Sequence, residues 1–183
     1  CDLVSTIETT QRAQSAGLQK GIEACRVRRE GSGHRHPCGG VAFWQFNEPW
    51  PAVTWAVVDR YGRPKNAYTL LCRSYQPLLI AALFDWRGWR PGETFGAEIW
   101  WVNDGPESLE GCAVKATLDG EIVLVVDGLV IQPLAAQLAG SFAVTLSERP
   151  SQLDLTLFSH QGVIASNGYD LGVYQPARQA VWA

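Results

Sequence analysis

Glu48 stands in Asn47-Glu48-Pro49 at the end of the apolar run Val41-Ala42-Phe43-Trp44-Gln45-Phe46. A carboxyl group held at a strand end can give or take a proton, and an indole just before it offers a flat apolar face for stacking. Asn47 can donate a hydrogen bond to a ligand hydroxyl or satisfy the turn before Glu48-Pro49. His34-Arg35-His36-Pro37-Cys38 brings imidazoles and a thiol together, and all of these bind zinc. A fourth ligand at suitable spacing is missing and the surroundings are Gly-rich, so the segment reads as a surface loop and no metal is expected. Asp59, next to Arg60 and before Gly62, reads as a residue that fixes a turn.

These side chains must be positioned by the elements around them. From Leu3 to Arg29 there are few breakers, and Val4, Ile7, Leu18, Ile22 and Cys25 recur at helical spacings, which predicts one amphipathic helix. Gln11 and Gln14 weaken its apolar stripe, and Arg26, Arg28 and Arg29 suit the negative end of the helix dipole. A loop from Glu30 to Gly40 follows. Val41 to Phe46 then has the length and near-continuous apolar texture of a strand buried on both faces, as in a parallel sheet. Beyond Trp50 and Trp55, expected to pack beneath the following loop, Pro64 suits a helix start and Ala67, Leu70, Leu71 and Tyr75 form a helical stripe ending near Ser74. Helix, buried strand, helix is a fragment of α/β architecture.

The texture changes at Gln76-Pro77. Seven β-like runs follow: Leu78–Asp85, Phe95–Val102, Gly111–Leu118, Glu121–Val126, Ser141–Leu146, Leu153–Phe158 and Val163–Tyr174. Turn signals such as Asp119-Gly120 and Arg149-Pro150 separate them, the pattern of an immunoglobulin-like sandwich. Phe95, Ala97, Ile99 and Trp101 alternate with Gly96, Glu98 and Trp100, so Trp100 and Trp101 face opposite sides, one into the core and one toward an interface. Trp86 and Trp89 form either an exposed stacking pair or packing that caps the sandwich.

With 183 residues, 46% of them hydrophobic, the chain can bury a substantial core. Its 15 basic and 18 acidic residues give a net charge of −3, with no electrostatic footprint for nucleic acid. The longest apolar run is shorter than the roughly 18 residues that cross a bilayer, so a soluble segment without a membrane partner is expected, its compartment open. Cys1, Cys25, Cys38, Cys72 and Cys112 are odd in number and scattered, which argues for reduced thiols rather than a disulfide framework. A chain that begins with Cys suggests a piece of something longer.

Phe43-Trp44-Gln45-Phe46-Asn47-Glu48-Pro49-Trp50-Pro51, with Trp55-Ala56-Val57-Val58-Asp59, Tyr61-Gly62-Arg63-Pro64-Lys65 and Tyr75-Gln76-Pro77, resembles the C-terminal part of glycoside hydrolase family 2 enzymes, most closely β-mannosidase-like members. The resemblance implies that residues 1–75 are the last part of a (β/α)8 barrel, with Val41–Phe46 as its eighth strand, and that residues 76–183 are the sandwich that follows it. It also implies a retaining exo-β-glycosidase working on carbohydrate without a cofactor, with the rest of the barrel as partner. Both catalytic carboxylates would lie upstream, so no catalytic residue is expected here and this segment alone should be inactive. Retention needs two carboxylates about 5–5.5 Å apart, and a complete barrel takes roughly 200 residues, whereas one strand-end carboxylate and about 75 residues are present. Glu48 is then a rim residue. Trp44, Asn47 and Glu48 are the expected substrate-binding residues, with Trp44 forming one wall of the sugar pocket or, alternatively, barrel core. A non-enzymatic carbohydrate-binding or structural sandwich is the competing expectation, resting on Trp86 and Trp89.

Overall fold

The computed structural model describes residues 2–29 and 31–174. Helix α1, Leu3–Val27, starts where Asp2 caps it, its side chain accepting from the Ser5 N–H at 2.8 Å. Its buried face begins only at Ser15 and runs through Ala16, Gln19, Ile22, Glu23 and Val27, while Leu3, Val4 and Ile7 are exposed. The expected stripe therefore splits. Helix α2, Asn66–Ser74, is nine residues long against the 25 of α1, or about 13 Å against about 37 Å, and can cover only part of its partner. Lys65 is the cap residue of α2, which places Pro64 just outside the helix.

Val41–Phe46 is extended but is not a strand. Among the described residues between 2 and 75, β pairing is limited to isolated bridges, Asn47 to Val58 and Val58 to Pro64. Val41 and Phe43 pack on a small cluster of Ile22, Val57, Ala67 and Leu71, whereas Ala42, Trp44 and Phe46 face solvent. The expectation of burial on both faces is thus corrected to burial on one. A strand exists through its neighbours' hydrogen bonds, and among the described residues this stretch bonds to the Val57–Val58 backbone at Phe46 and to the Tyr75 hydroxyl at Val41.

The remainder is a two-sheet sandwich. Its strands are β1 Leu78–Phe84, β2 Thr94–Asn103, β3 Leu109–Leu118, β4 Glu121–Ile131, β5 Ala135–Thr145, β6 Gln152–Ser159 and β7 Gly162–Asp170, followed by a short 3-10 turn, Leu171–Tyr174. The sheets are ordered β1-β2-β5 and β4-β3-β6-β7, with antiparallel pairing throughout. All seven expected runs are strands. β4 and β5 are longer than expected, and the last run turns into the 3-10 segment after Asp170. Phe95, Ile99 and Trp101 meet Val114, Leu153, Leu155, Leu157 and Tyr169 in the inter-sheet core. Trp100 points the other way, into a second cluster with Val27 of α1, Leu79, Ala81, Val102 and Ala136. One adjacent tryptophan is core and the other anchors the helices, as the alternation predicts.

Polar contacts fasten the same interface. Arg26 and Arg29 each reach Asp104 at 2.7 Å, and Arg12 pairs with Asp170. Between them Glu23, only 1% exposed, accepts from Asn167 Nδ2 at 2.8 Å, the Tyr169 hydroxyl at 2.6 Å and Ser74 Oγ at 3.2 Å.

Candidate functional site

The chain doubles back around Glu48. Phe46 O accepts from the N–H groups of Val57 (3.1 Å) and Val58 (2.9 Å), and Glu48 N donates to Val58 O at 3.1 Å, closing the proline-bracketed loop 49–56. The Trp44–Gln45 peptide at its entry is cis. At this closure Glu48 turns inward and is 6% exposed. Its Oε1 accepts from Thr54 Oγ1 at 2.6 Å and from the Lys65 ammonium, which also donates to Thr54 O at 3.4 Å. The Lys65 hydrogen bond, supported by Thr54, holds the Glu48 carboxyl below the usual carboxylate range. A general acid needs the opposite shift. Glu48 is built to stay ionised and hold the loop.

A pH dependence follows from that shift. Because the folded-state value is depressed, the contribution of Glu48 is present above the unfolded value, about 4.3, and is lost as pH falls through the folded one. Lys65→Met, which strands the carboxylate in its buried position, is expected to cost about 3 kcal/mol at pH 7 and clearly less near pH 3.5, where Glu48 takes up a proton. Urea melts at the two pH values check this, and an equal cost at both would show that the ion pair carries none of it.

Trp44 is 76% exposed, and Phe46, Asn47, Trp50 and Trp55 are exposed around it. Trp50 and Trp55, expected as packing, are instead on the surface, because the loop is held to α1 through its backbone, Gln14 Nε2 donating to the carbonyls of Trp55 at 2.6 Å and Ala56 at 3.4 Å, and its indoles stay exposed. Glu48 and Lys65 line a cleft of about 560 Å³ with Ile7, Gln14, Thr54 and Trp55. Trp44 and Asn47 stand outside it. The backbone carbonyl of Asn47 accepts from Gln45 Nε2 at 2.8 Å, leaving its side chain at the exposed edge of the turn.

The other candidates separate cleanly. Asp59 Oδ1 accepts from the N–H groups of Tyr61 (2.8 Å) and Arg63 (2.9 Å), the turn-fixing role. His34 lies with its ring centroid 5.0 Å from that of Trp100, and no group of three or more metal-capable side chains occurs among the described residues. Trp86 stacks on Phe84 at 5.5 Å with the Lys20 ammonium 4.5 Å from its ring, but Trp89 is 5% exposed, edge-on to Phe95. The exposed pair of tryptophans does not form, because Trp89 is used as core. No described helix is long and apolar enough to cross a membrane.

Sequence reasoning missed Glu23. The available signal was that Ser15, Gln19 and Glu23 recur every four residues on the face that also carries Ile22, so polar groups share the buried side of α1.

No family model matches the chain. Curated relatives do: β-mannosidase B of Aspergillus niger is 34% identical over 107 residues, 56% of this chain and 12% of that protein. β-Mannosidase B of Emericella nidulans is 31% identical over 143 residues, 72% of this chain and 17% of that protein. Among solved structures, the β-D-mannosidase of Dictyoglomus thermophilum superposes with a TM-score of 0.66 at 19% identity, over 90% of this chain and 19% of that one. The exo-chitosanase of Amycolatopsis orientalis gives 0.61 at 20% identity, over 87% and 18%. The chain spans less than a fifth of the length of these proteins. In sequence and in fold it is similar to the C-terminal portion of β-mannosidase-like enzymes.

Proposed function

We propose that this chain is the C-terminal segment of a retaining exo-β-glycosidase of glycoside hydrolase family 2, hydrolysing terminal β-linked sugars as β-mannosidases do. Residues 1–75 belong to a (β/α)8 catalytic domain and residues 76–183 to the sandwich that buttresses it. The observation that carries the reading is the extended segment Val41–Phe46, with one face packed on α1 and α2 and the other presenting Trp44 and Phe46 to solvent. Neighbouring barrel strands would supply the hydrogen bonds this segment lacks.

Trp44, Asn47 and Glu48 border the sugar. The indole forms an apolar wall for the C–H face of the ring, Asn47 offers its amide to a hydroxyl, and Glu48, locked to Lys65 and Thr54, sets the rim on which both stand. The two carboxylates that a retaining mechanism needs come from outside this segment. The chain alone is therefore inactive, and the rest of the barrel is its partner.

The test is an assay with nitrophenyl β-mannoside, β-galactoside and β-glucuronide, using the chain alone and the chain mixed with the polypeptide encoded upstream of it. Silence alone and β-mannoside turnover on mixing are expected, with Trp44→Ala lowering kcat/KM of the mixture about tenfold or more. Turnover by the chain alone, abolished by Glu48→Gln, overturns the proposal.

A further inference from the structure

Cys25 lies in the last turn of α1, and Cys38 is carried back to it by the loop. The Cys38 N–H donates to the carbonyl of Arg28 at 2.7 Å, and Arg28 is one helical turn beyond Cys25, on the same face. Both thiols are partly exposed and line one cleft of about 400 Å³ with Arg26, Arg29 and Tyr75. The Cys38 Sγ donates to the Gly40 carbonyl at 3.2 Å, at the wall of the cleft that both thiols share. The other described cysteines differ: Cys72 is exposed on α2, and Cys112 is sealed in the inter-sheet core.

The cleft favours an anionic reagent. Arg26 and Arg29 share the single carboxylate of Asp104, which leaves the pair with a net positive charge. Burial and the Cys38 thiol push the Cys25 thiol up, with Arg28 acting in the opposite direction. The raised thiol leaves less thiolate near neutral pH, so exchange at Cys25 quickens in alkaline buffer, while partial exposure and the neighbouring guanidinium groups admit an anionic disulfide.

We propose that Cys25 and Cys38 form a dithiol modification site that reacts with small anionic disulfides of the glutathione type and closes to an internal Cys25–Cys38 disulfide. One protein thiolate attacks a sulfur of the reagent, forming a mixed disulfide and expelling one thiolate, which takes up a proton. The second protein thiolate then attacks the protein sulfur of the mixed disulfide and expels the second. Two protein thiols are oxidised to one disulfide, the reagent disulfide is reduced to two thiols, and the two protons pass from protein to leaving groups. The closed bridge fastens the loop to the end of α1, and with it His34, which rests on Trp100 of the sandwich. This site is independent of the glycosidase reading.

The test uses the full chain, wild type and with Cys1→Ser and Cys72→Ser, equilibrated in reduced and oxidised glutathione, acid-quenched, alkylated and mapped by mass spectrometry. The expected product is a Cys25–Cys38 linked peptide, at a glutathione ratio at which Cys38→Ser gives only a mixed disulfide on Cys25. In urea the ratio for half-conversion should move at least tenfold toward more oxidising buffer, because the fold no longer holds the thiols together. Separate glutathione adducts on Cys25 and Cys38, or free thiols at both where Cys72 of the wild type is fully modified, overturn the proposal, as does an unchanged ratio in urea.

Discussion

Trp101→Ala is expected to cost about 4 kcal/mol and to bring down the whole sandwich, whereas Trp100→Ala, one residue away, should mainly release the helices. Trp101 is 1% exposed at the centre of the inter-sheet core, where the indole is enclosed by residues of both sheets. Its loss leaves a void that close-packed strands cannot fill, and 4 kcal/mol is a large share of the 5–15 kcal/mol that holds a typical domain. Trp100 packs on Val27 and His34 on the outer face of the three-stranded sheet, with Nε1 donating to Glu98 Oε2 at 3.0 Å. Truncating it removes the platform under the end of α1 and leaves the inter-sheet core intact. In urea melts followed by circular dichroism, Trp101→Ala should shift the sandwich midpoint strongly and Trp100→Ala only slightly. In limited proteolysis, Trp100→Ala should raise cleavage within residues 3–40 about tenfold. Equal midpoint shifts for the two variants would show that helices and sandwich melt as one cooperative unit.

Glu23→Leu is expected to cost about 3 kcal/mol, and more at pH 5 than at pH 8. The substitution takes the acceptor away from the Tyr169 hydroxyl, Asn167 Nδ2 and Ser74 Oγ, all buried where water cannot replace it. The pH dependence comes from the carboxyl itself. Burial pushes its pKa up despite the hydrogen bonds from Tyr169, Asn167, Gln19 and Ser74. The folded chain thus keeps this proton to higher pH than the unfolded chain does. The stability Glu23 contributes is fully present below the unfolded value, about 4.3, and declines as pH rises through the folded one. This slope is opposite to that of Glu48, whose contribution is lost on acidification. Urea melts of wild type and Glu23→Leu at pH 5 and pH 8 test it; a cost that grows with pH would mean that Glu23 is ionised in the folded chain throughout.

Local pattern carried far in this chain. Period-two alternation over Phe95–Trp101 implies both the strand and the opposite placement of two adjacent tryptophans, because successive side chains of a strand leave from opposite faces. Asp59 before Gly62 implies its turn, since an Asp side chain reaches its own backbone within four residues. The motif Trp44-Gln45-Phe46-Asn47-Glu48 carried the resemblance that the β-mannosidase relatives bear out.

What local pattern does not hold is any contact between distant parts of the chain. Sequence alone determined the long first helix, the seven strands with their turns, and the likeness to a family, because these rest on spacings of two to four residues and on a contiguous motif. Only the tertiary structure decided that Val41–Phe46 buries one face rather than two, that Trp89 fills the core while Trp44 stands free, and that Glu48 is neutralised by Lys65, 17 residues on. It alone brought Cys25 and Cys38 into one cleft and Glu23 to Tyr169. Whether an apolar face is covered, or a charge paired, depends on which surfaces meet when elements pack, and no window of the sequence contains both partners of such a meeting.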